Sequence, residues 1–377
     1  MDQELAQNLL NEGGVLLFLD VPTETEFGID FKSWNTAENF KGIKMIPPGM
    51  HYIFYSAVSS TGDKAPRSGF FHNFRAGEMI VRKWDGKEEN MSSCNFSEYE
   101  IASFRRNMPA LDPFLGPYPL DIYKKWVTLT ENMTDQLIDR LIPSSGIVKS
   151  VLELQHCTNA ERLRQGCVTI ENRKRKRIPS TLDDMDQMEC RLLPHMVATK
   201  GFEWRFTQLP ERHYPEGSTP SEITQHSLDA TYVFDTMMSN YKEASEIIGE
   251  IEFCFICFLI GHSLEAFEQW KKLLNLFCSC GRAITKYRKI YNSLLTVLEL
   301  QVCEIPQEFL ADIVTNNNFF YAKMRDLFRN IVFAGVDSEL QCKANRFKEF
   351  LTSKFGWKFL HLDLEDEDEA PVVVEME

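Results

Sequence analysis

The sequence lacks the short signatures that most enzymes carry. It holds no G-x-S-x-G elbow for a hydrolase serine, no G-x-x-x-x-G-K-[ST] or G-x-G-x-x-G loop for phosphates, and no H-E-x-x-H pair for a metal. The nearest approach, Gly261-His262-Ser263, sits at a helix-to-helix corner where Ser263 serves as an N-cap. No apolar run approaches the roughly 18 residues of a membrane span. The N-terminus carries acids where a secretory leader carries bases, so a soluble protein made in the cytosol is expected. Its ten cysteines then read as reduced thiols, and the sequons at Asn90, Asn95 and Asn132 as chance matches. Base is also scarce where acid is dense: His361 to Glu377 has eight acids and no Lys or Arg, leaving −6 of the net −14 for the rest. A mildly acidic body disfavours broad binding to a nucleic-acid backbone.

What is present begins with Thr25 to Tyr55, rich in aromatic and β-branched residues between Gly28 and the Pro47-Pro48-Gly49 turn. It has no helix-period stripe and predicts consecutive strands, with Gly28 and Pro47-Pro48-Gly49 fixing their turns. A short helix over Asp2 to Leu10 and a strand over Val15 to Leu19 precede it. Gly69 to Phe74 and Met79 to Trp84, joined by Arg75 to Glu78, read as a hairpin. Ser60 to Ser68 and Asp85 to Ser93 read as exposed loops. The strand spacing predicts an antiparallel sandwich or small barrel. Ser97 and Glu100 form a capping-box pattern that starts a helix. Phe114 to Pro119, with Gly116, Pro117 and a second proline, is expected to be irregular. Helices from Leu120 and over Thr134 to Leu141 close this domain, with Val148 to Gln155 a further helical piece.

From Gly166 to His213 no apolar period survives, which predicts a flexible linker. Its one ordered-looking piece is Phe202 to Phe206, as an edge strand or a docked peptide. Thr219, Pro220 and Glu222 then open a helical domain with N-cap, first-turn proline and capping-box acid. Helices are predicted over Pro220–Ser239, Ser245–Leu259, Leu264–Phe277, Ile284–Val302, Pro306–Val314, Phe319–Phe333 and Ser338–Phe355. Leu264, Phe267, Trp270, Leu274 and Phe277 make one apolar face, whereas Ile251 to Ile260 is apolar almost all round and should be the buried central helix. No fixed repeat period is present. The predicted units are 1–165 β-rich, 166–213 linker, 214–360 helical and 361–377 acidic tail, an α+β chain of two domains.

Cys254, Cys257, Cys278 and Cys280 resemble a zinc set only superficially, since the first pair lies in the most apolar helix; they read as buried thiols. The basic run Arg173, Lys174, Arg175, Lys176 and Arg177 has three readings: solvated linker charge, nuclear-import patch or RNA phosphate contact. The acidic run Asp363 to Glu369 is a solvated tail or a mimic occupying a partner's basic surface. Val372, Val373 and Val374 favour an extended strand that could pair with a sheet edge in cis or in a partner. No catalytic, metal or cofactor residues emerge.

Five strings together resemble one family, the AAR-two splicing-factor family (a-one/alpha-two repression protein). They are Glu26-Phe27-Gly28-Ile29-Asp30 with Trp34, Lys44 to Gly49, Phe114 to Pro119, Pro215-Glu216-Gly217 leading into Thr219-Pro220-x-Glu222-Ile223-Thr224, and Ala370 to Glu375. The resemblance implies an N-terminal β-rich domain with short helices and a C-terminal all-α domain similar to VHS domains. It implies a non-enzymatic assembly chaperone without cofactors, which holds the large scaffold protein of the U-five snRNP through its RNase H-like and Jab/MPN-like domains. Occupying those surfaces would delay a helicase and RNA, with cytoplasmic assembly followed by passage to the nucleus. Two domains on a flexible linker could clamp two modules of one partner. The alternative is a general helical-array adaptor of VHS type.

Overall fold

Strand β5 (Gly49–Ser56) is buried on both faces, and this explains both its near-continuous apolar sequence and the architecture around it. Ile53 and Tyr55 face the core between two sheets, while Tyr52 and Phe54 face the helical half of the chain. The computed structural model describes residues 9, 12–58, 62–87, 89–92, 96–151, 154–156, 196–198, 201–305, 319–336 and 338–359. The expected helices over Asp2–Leu10 and Pro306–Val314, the run Arg173 to Arg177, the acidic run and Val372 to Val374 lie wholly or almost wholly outside those residues.

The first sheet has the order β8 (Asn90–Met91), β7 (Met79–Asp85), β1 (Gly14–Leu19), β4 (Gly42–Ile46), β9 (Leu115–Pro117). The second has the order β10 (Val148–Lys149), β6 (Ser68–Phe74), β5, β2 (Glu26–Ile29), β3 (Lys32–Asn35). The second is antiparallel throughout, whereas the first is mixed, since β1–β7 and β4–β9 run parallel. Leu16, Phe18, Phe27, Ile43, Phe74 and Trp84 are among the side chains filling the space between them. Helices α1 (Glu98–Arg106) and α2 (Met108–Leu111) cover the outer face of the first sheet over Leu17, Met79 and Val81. The capping box of Ser97 and Glu100 starts α1 as the spacing predicts.

Several local expectations give way to tertiary pairing. Strands β6 and β7 do not form a hairpin: the turn at Arg75–Glu78 is present, with Gly77 at φ 65°, but it carries the chain from one sheet to the other. Gly116 and Pro117, expected to be irregular, lie in β9, an edge strand where the missing proline donor costs nothing. Met91, expected in a loop, is buried in β8. Val148 to Gln155 is not helical; β10 adds to the second sheet, and β11 (Leu154–His156) pairs with β12 (Met196–Ala198).

Helices α3 (Tyr123–Leu129) and α4 (Asp135–Leu141) link the sheets to the helical half. That half comprises α5 (Pro220–Leu228), α6 (Thr231–Met238), α7 (Glu246–Leu259), α8 (Leu264–Cys278), α9 (Ala283–Lys286), α10 (Arg288–Glu304), α11 (Phe319–Phe333) and α12 (Ser338–Phe355). The single helix expected over Pro220–Ser239 breaks because the Asp229 carboxylate takes the Thr231 amide at 2.9 Å and the Arg282 amide at 3.0 Å. Helix α7 is the fully buried central helix, with Ile247 to Phe258 all shielded.

Candidate functional site

Three separate sequence strings meet at one buried carboxylate. Asp30 sits at the β2–β3 turn with φ 54°, and its Oδ2 lies 2.7 Å from His51 Nδ1 and accepts the Tyr118 hydroxyl at 2.6 Å. Its Oδ1 accepts the Tyr52 amide at 3.0 Å. His51 Nε2 is 2.8 Å from the Pro47 carbonyl, which can only accept, so this nitrogen donates. Burial and the neighbouring Asp30 push the Tyr118 phenol far above its ordinary range. Trp126 stacks near the His51 ring and donates its indole N–H to the Met50 carbonyl at 2.6 Å. Each polar atom of the cluster is spent on another protein atom, which is the chemistry of a brace.

The predicted motif residues divide accordingly. Pro47 and Pro48 form the corner between sheets, and Gly49 begins β5 at φ 133°, a conformation that favours glycine. Gly28 is not a turn residue; it lies mid-strand in β2 opposite Phe54 because a Cβ there would land on the Phe54 ring. Trp34 packs edge-on to Phe27 on the outer strand β3. Gly116 and Pro117 pair with Ile43 and Lys44 and deliver Tyr118 to Asp30. Thr219, Pro220 and Glu222 stand apart, capping exposed α5: Thr219 N–H donates to the Glu222 carboxylate at 2.7 Å, and such bonds hold that carboxyl below its ordinary value.

The second cluster is the seam between the halves, which share one continuous apolar core from Tyr52 and Trp126 to Phe253 and Leu351. The two halves are thus in direct contact along this core, while most of the linker expected over 166–213 lies outside the described residues. Arg67 reaches from the sheet to the Ile260 carbonyl at 2.6 Å and His262 Nε2 at 3.1 Å while holding Glu26 at 2.8 Å. Burial pushes the Glu26 carboxyl up, but Arg67 and Lys64 outweigh it and keep it below its usual value. Asn132, before α4, donates its amide and side chain to Glu252 of α7 at 2.8 and 2.7 Å. Burial pushes the Glu252 carboxyl up to about 8.

Residues 204–207 form a strap across the seam. They dock as a peptide rather than as a strand: Trp204 stacks on Phe206, and both contact Phe253. Thr207 donates its amide and hydroxyl to Glu250 at 3.0 and 2.6 Å, Tyr241 and Gln269 also donate to that buried carboxylate, and the Arg140 guanidinium lies 3.8 Å from it. The thiols of Cys254, Cys257, Cys278 and Cys280 are buried, and desolvation raises each far from the reactive range. Sequence reasoning missed His51, Arg67, Asn132 and the pair Glu250 and Glu252. Only the last had a signal, two acids within the otherwise apolar stretch 247–258 of α7.

Two family models cover this architecture: the AAR2 N-terminal domain matches residues 12–143 and the AAR2 C-terminal repeat region matches residues 206–360. The "Protein AAR2 homolog" of Mus musculus is 38% identical over 387 residues, spanning 100% of this chain and 97% of its own length. This chain belongs to the AAR2 family. The Homo sapiens homologue is 37% identical over 388 residues with the same coverage. The "A1 cistron-splicing factor AAR2" of Saccharomyces cerevisiae is 21% identical over 375 residues, covering 95% of this chain and 96% of its own. The β-rich and helical halves are thus the two AAR2 regions, and the yeast relative is named as a splicing factor.

Proposed function

We propose that this AAR2-family chain is a non-enzymatic assembly chaperone in spliceosomal snRNP biogenesis. It binds the RNase H-like and Jab/MPN-like C-terminal domains of the large scaffold protein of the U-five snRNP and blocks premature helicase and RNA binding. The observation that carries this reading is the likeness, along both halves at once, to AAR2 relatives of which the yeast one is named a splicing factor. The shared core supports it, because a joined body presents two differently shaped faces in fixed relation, and a preorganised surface loses less entropy on binding. An anionic surface and tail cover basic RNA-binding surfaces without themselves binding RNA.

Within the proposal, the protein works in the cytoplasm and passes to the nucleus, with Arg173 to Arg177 as import patch. Val372, Val373 and Val374 add a strand to a sheet edge. Affinity purification at gentle salt tests the reading: it should recover the scaffold protein with snRNP components. Recovery of neither would sink it, and endosomal cargo in their place would favour the VHS-type adaptor.

A further inference from the structure

Residues 130–135, between α3 and α4, form a ridge with a groove on either side. One groove, of about 490 Å³, is lined by Pro48, Met50, Trp126, Val127 and Met133 together with the acids Glu131 and Asp135. The other, of about 390 Å³, is lined by Asn132, Gln136 and Ser245 with Asp135, Glu243, Glu246 and the single base Lys242. Thr134 and Asp135 line both, so the two grooves share the ridge as a common wall. The first groove is walled by the sheet corner, α3 and the start of α4, all within residues 48–135, whereas the second runs between α4 and residues 242–246 at the start of α7 and so lies on the seam.

Its chemistry is one-sided. Val127 is 45% exposed, an apolar side chain beside the apolar wall without cover. Among the described residues the Asp135 carboxylate accepts only the neutral Asn73 amide, at 2.9 and 2.8 Å. Among the described residues no Lys or Arg is within ion-pair distance of Glu131, Asp135 or Glu243, and Glu246 meets Arg140 at 3.5 Å. The ridge is held from behind, by Glu252 on Asn132 and by Gly249, where a Cβ would strike the Asn132 carbonyl. An apolar floor beside unneutralised carboxylates repels phosphate and acidic peptides and suits an extended segment with an apolar anchor flanked by Lys or Arg.

We propose that this groove docks such a basic, apolar-anchored segment of the protein partner. The proposal rests on the reading of the chain as a protein-binding factor and adds which surface is used and what chemistry it selects.

The test titrates the full chain with a fluorescent peptide of one Leu flanked by Arg and Lys, against the same peptide with every base replaced by Glu. A photo-reactive leucine in the anchor position locates the contact. The basic peptide should bind, its acidic counterpart should not, and labels should fall on 123–136 and 242–246. The double variant Glu131→Gln with Asp135→Asn, shown folded by thermal unfolding, should bind about tenfold more weakly. Equal binding of both peptides, labels elsewhere, or indifference to the double variant would overturn the proposal. So would binding that appears only after Arg173 to Arg177 are neutralised, since the chain's own run would then be the occupant. If wild type and double variant purify the same spliceosomal proteins, the groove assignment fails while the assembly function stands. If wild type purifies none, the function itself fails.

Discussion

Asp30 and His51 lie 2.7 Å apart with neither side chain exposed, and through them the β2–β3 turn is tied to the Pro47 corner. Removing one member leaves the other buried without its partner. Asp30→Asn or His51→Ala should therefore cost about 3–5 kcal/mol, the usual penalty for half of a buried pair. Urea unfolding checks this; a loss below 1 kcal/mol would mean that the cluster is not a brace.

Three glycines should rank by what surrounds them. Gly249→Ala puts a methyl on the Asn132 carbonyl at the seam, where neither backbone can yield, and should be the most damaging. Gly28→Ala meets the Phe54 ring, which can shift, and should cost about 1–3 kcal/mol. Gly49→Ala meets nothing within 4 Å and is strained only by its φ of 133°, so about 1–2 kcal/mol is expected. Thermal unfolding of the three variants gives the order.

Arg67 holds the two halves together at the sheet side. Arg67→Met keeps much of the apolar stem but loses the guanidinium over the Phe54 ring and its bonds to Ile260 and Glu26. A loss of about 1.5–3 kcal/mol is expected for charged hydrogen bonds of this kind. Limited proteolysis should show faster cleavage near the seam.

Glu252 makes stability depend on pH in a definite direction. Its carboxyl rises from an ordinary 4.5 to about 8 on folding, so between those values the folded state holds more proton than the unfolded one. Its stabilising contribution is full below pH 4.5 and is lost as pH rises through about 8. His72 and His262, pushed below 6.5 by burial, with Arg67 adding to the effect at His262, act in the opposite sense below that pH. Between pH 7 and 8 the two histidines are nearly neutral in both states and Glu252 dominates them, so stability should fall across that window by ~1 kcal/mol. Glu252→Gln should flatten that slope.

Local signals carried far. The capping boxes at Ser97–Glu100 and Thr219–Glu222, the apolar helix α7 and the strands from Thr25 to Tyr55 were legible because adjacent residues dictate them. Pairing was not legible. Nothing in Arg75–Glu78 tells a hairpin from a corner between sheets, because both need the same turn residues and the same alternation. Gly28 read as a turn because glycine has two uses, positive φ and close approach, and only the neighbouring Phe54 distinguishes them. The seam was the least visible feature, since Asn132 and Glu252 are 120 residues apart and Arg67 and Ile260 are 193 apart.

The most direct measurement mixes the purified full chain with the isolated RNase H-like and Jab/MPN-like domains of the spliceosomal scaffold protein and follows them by size exclusion. The account predicts a stable co-eluting complex that weakens when Gly249→Ala or Arg67→Met loosens the seam. No co-elution with either domain at gentle salt would contradict it.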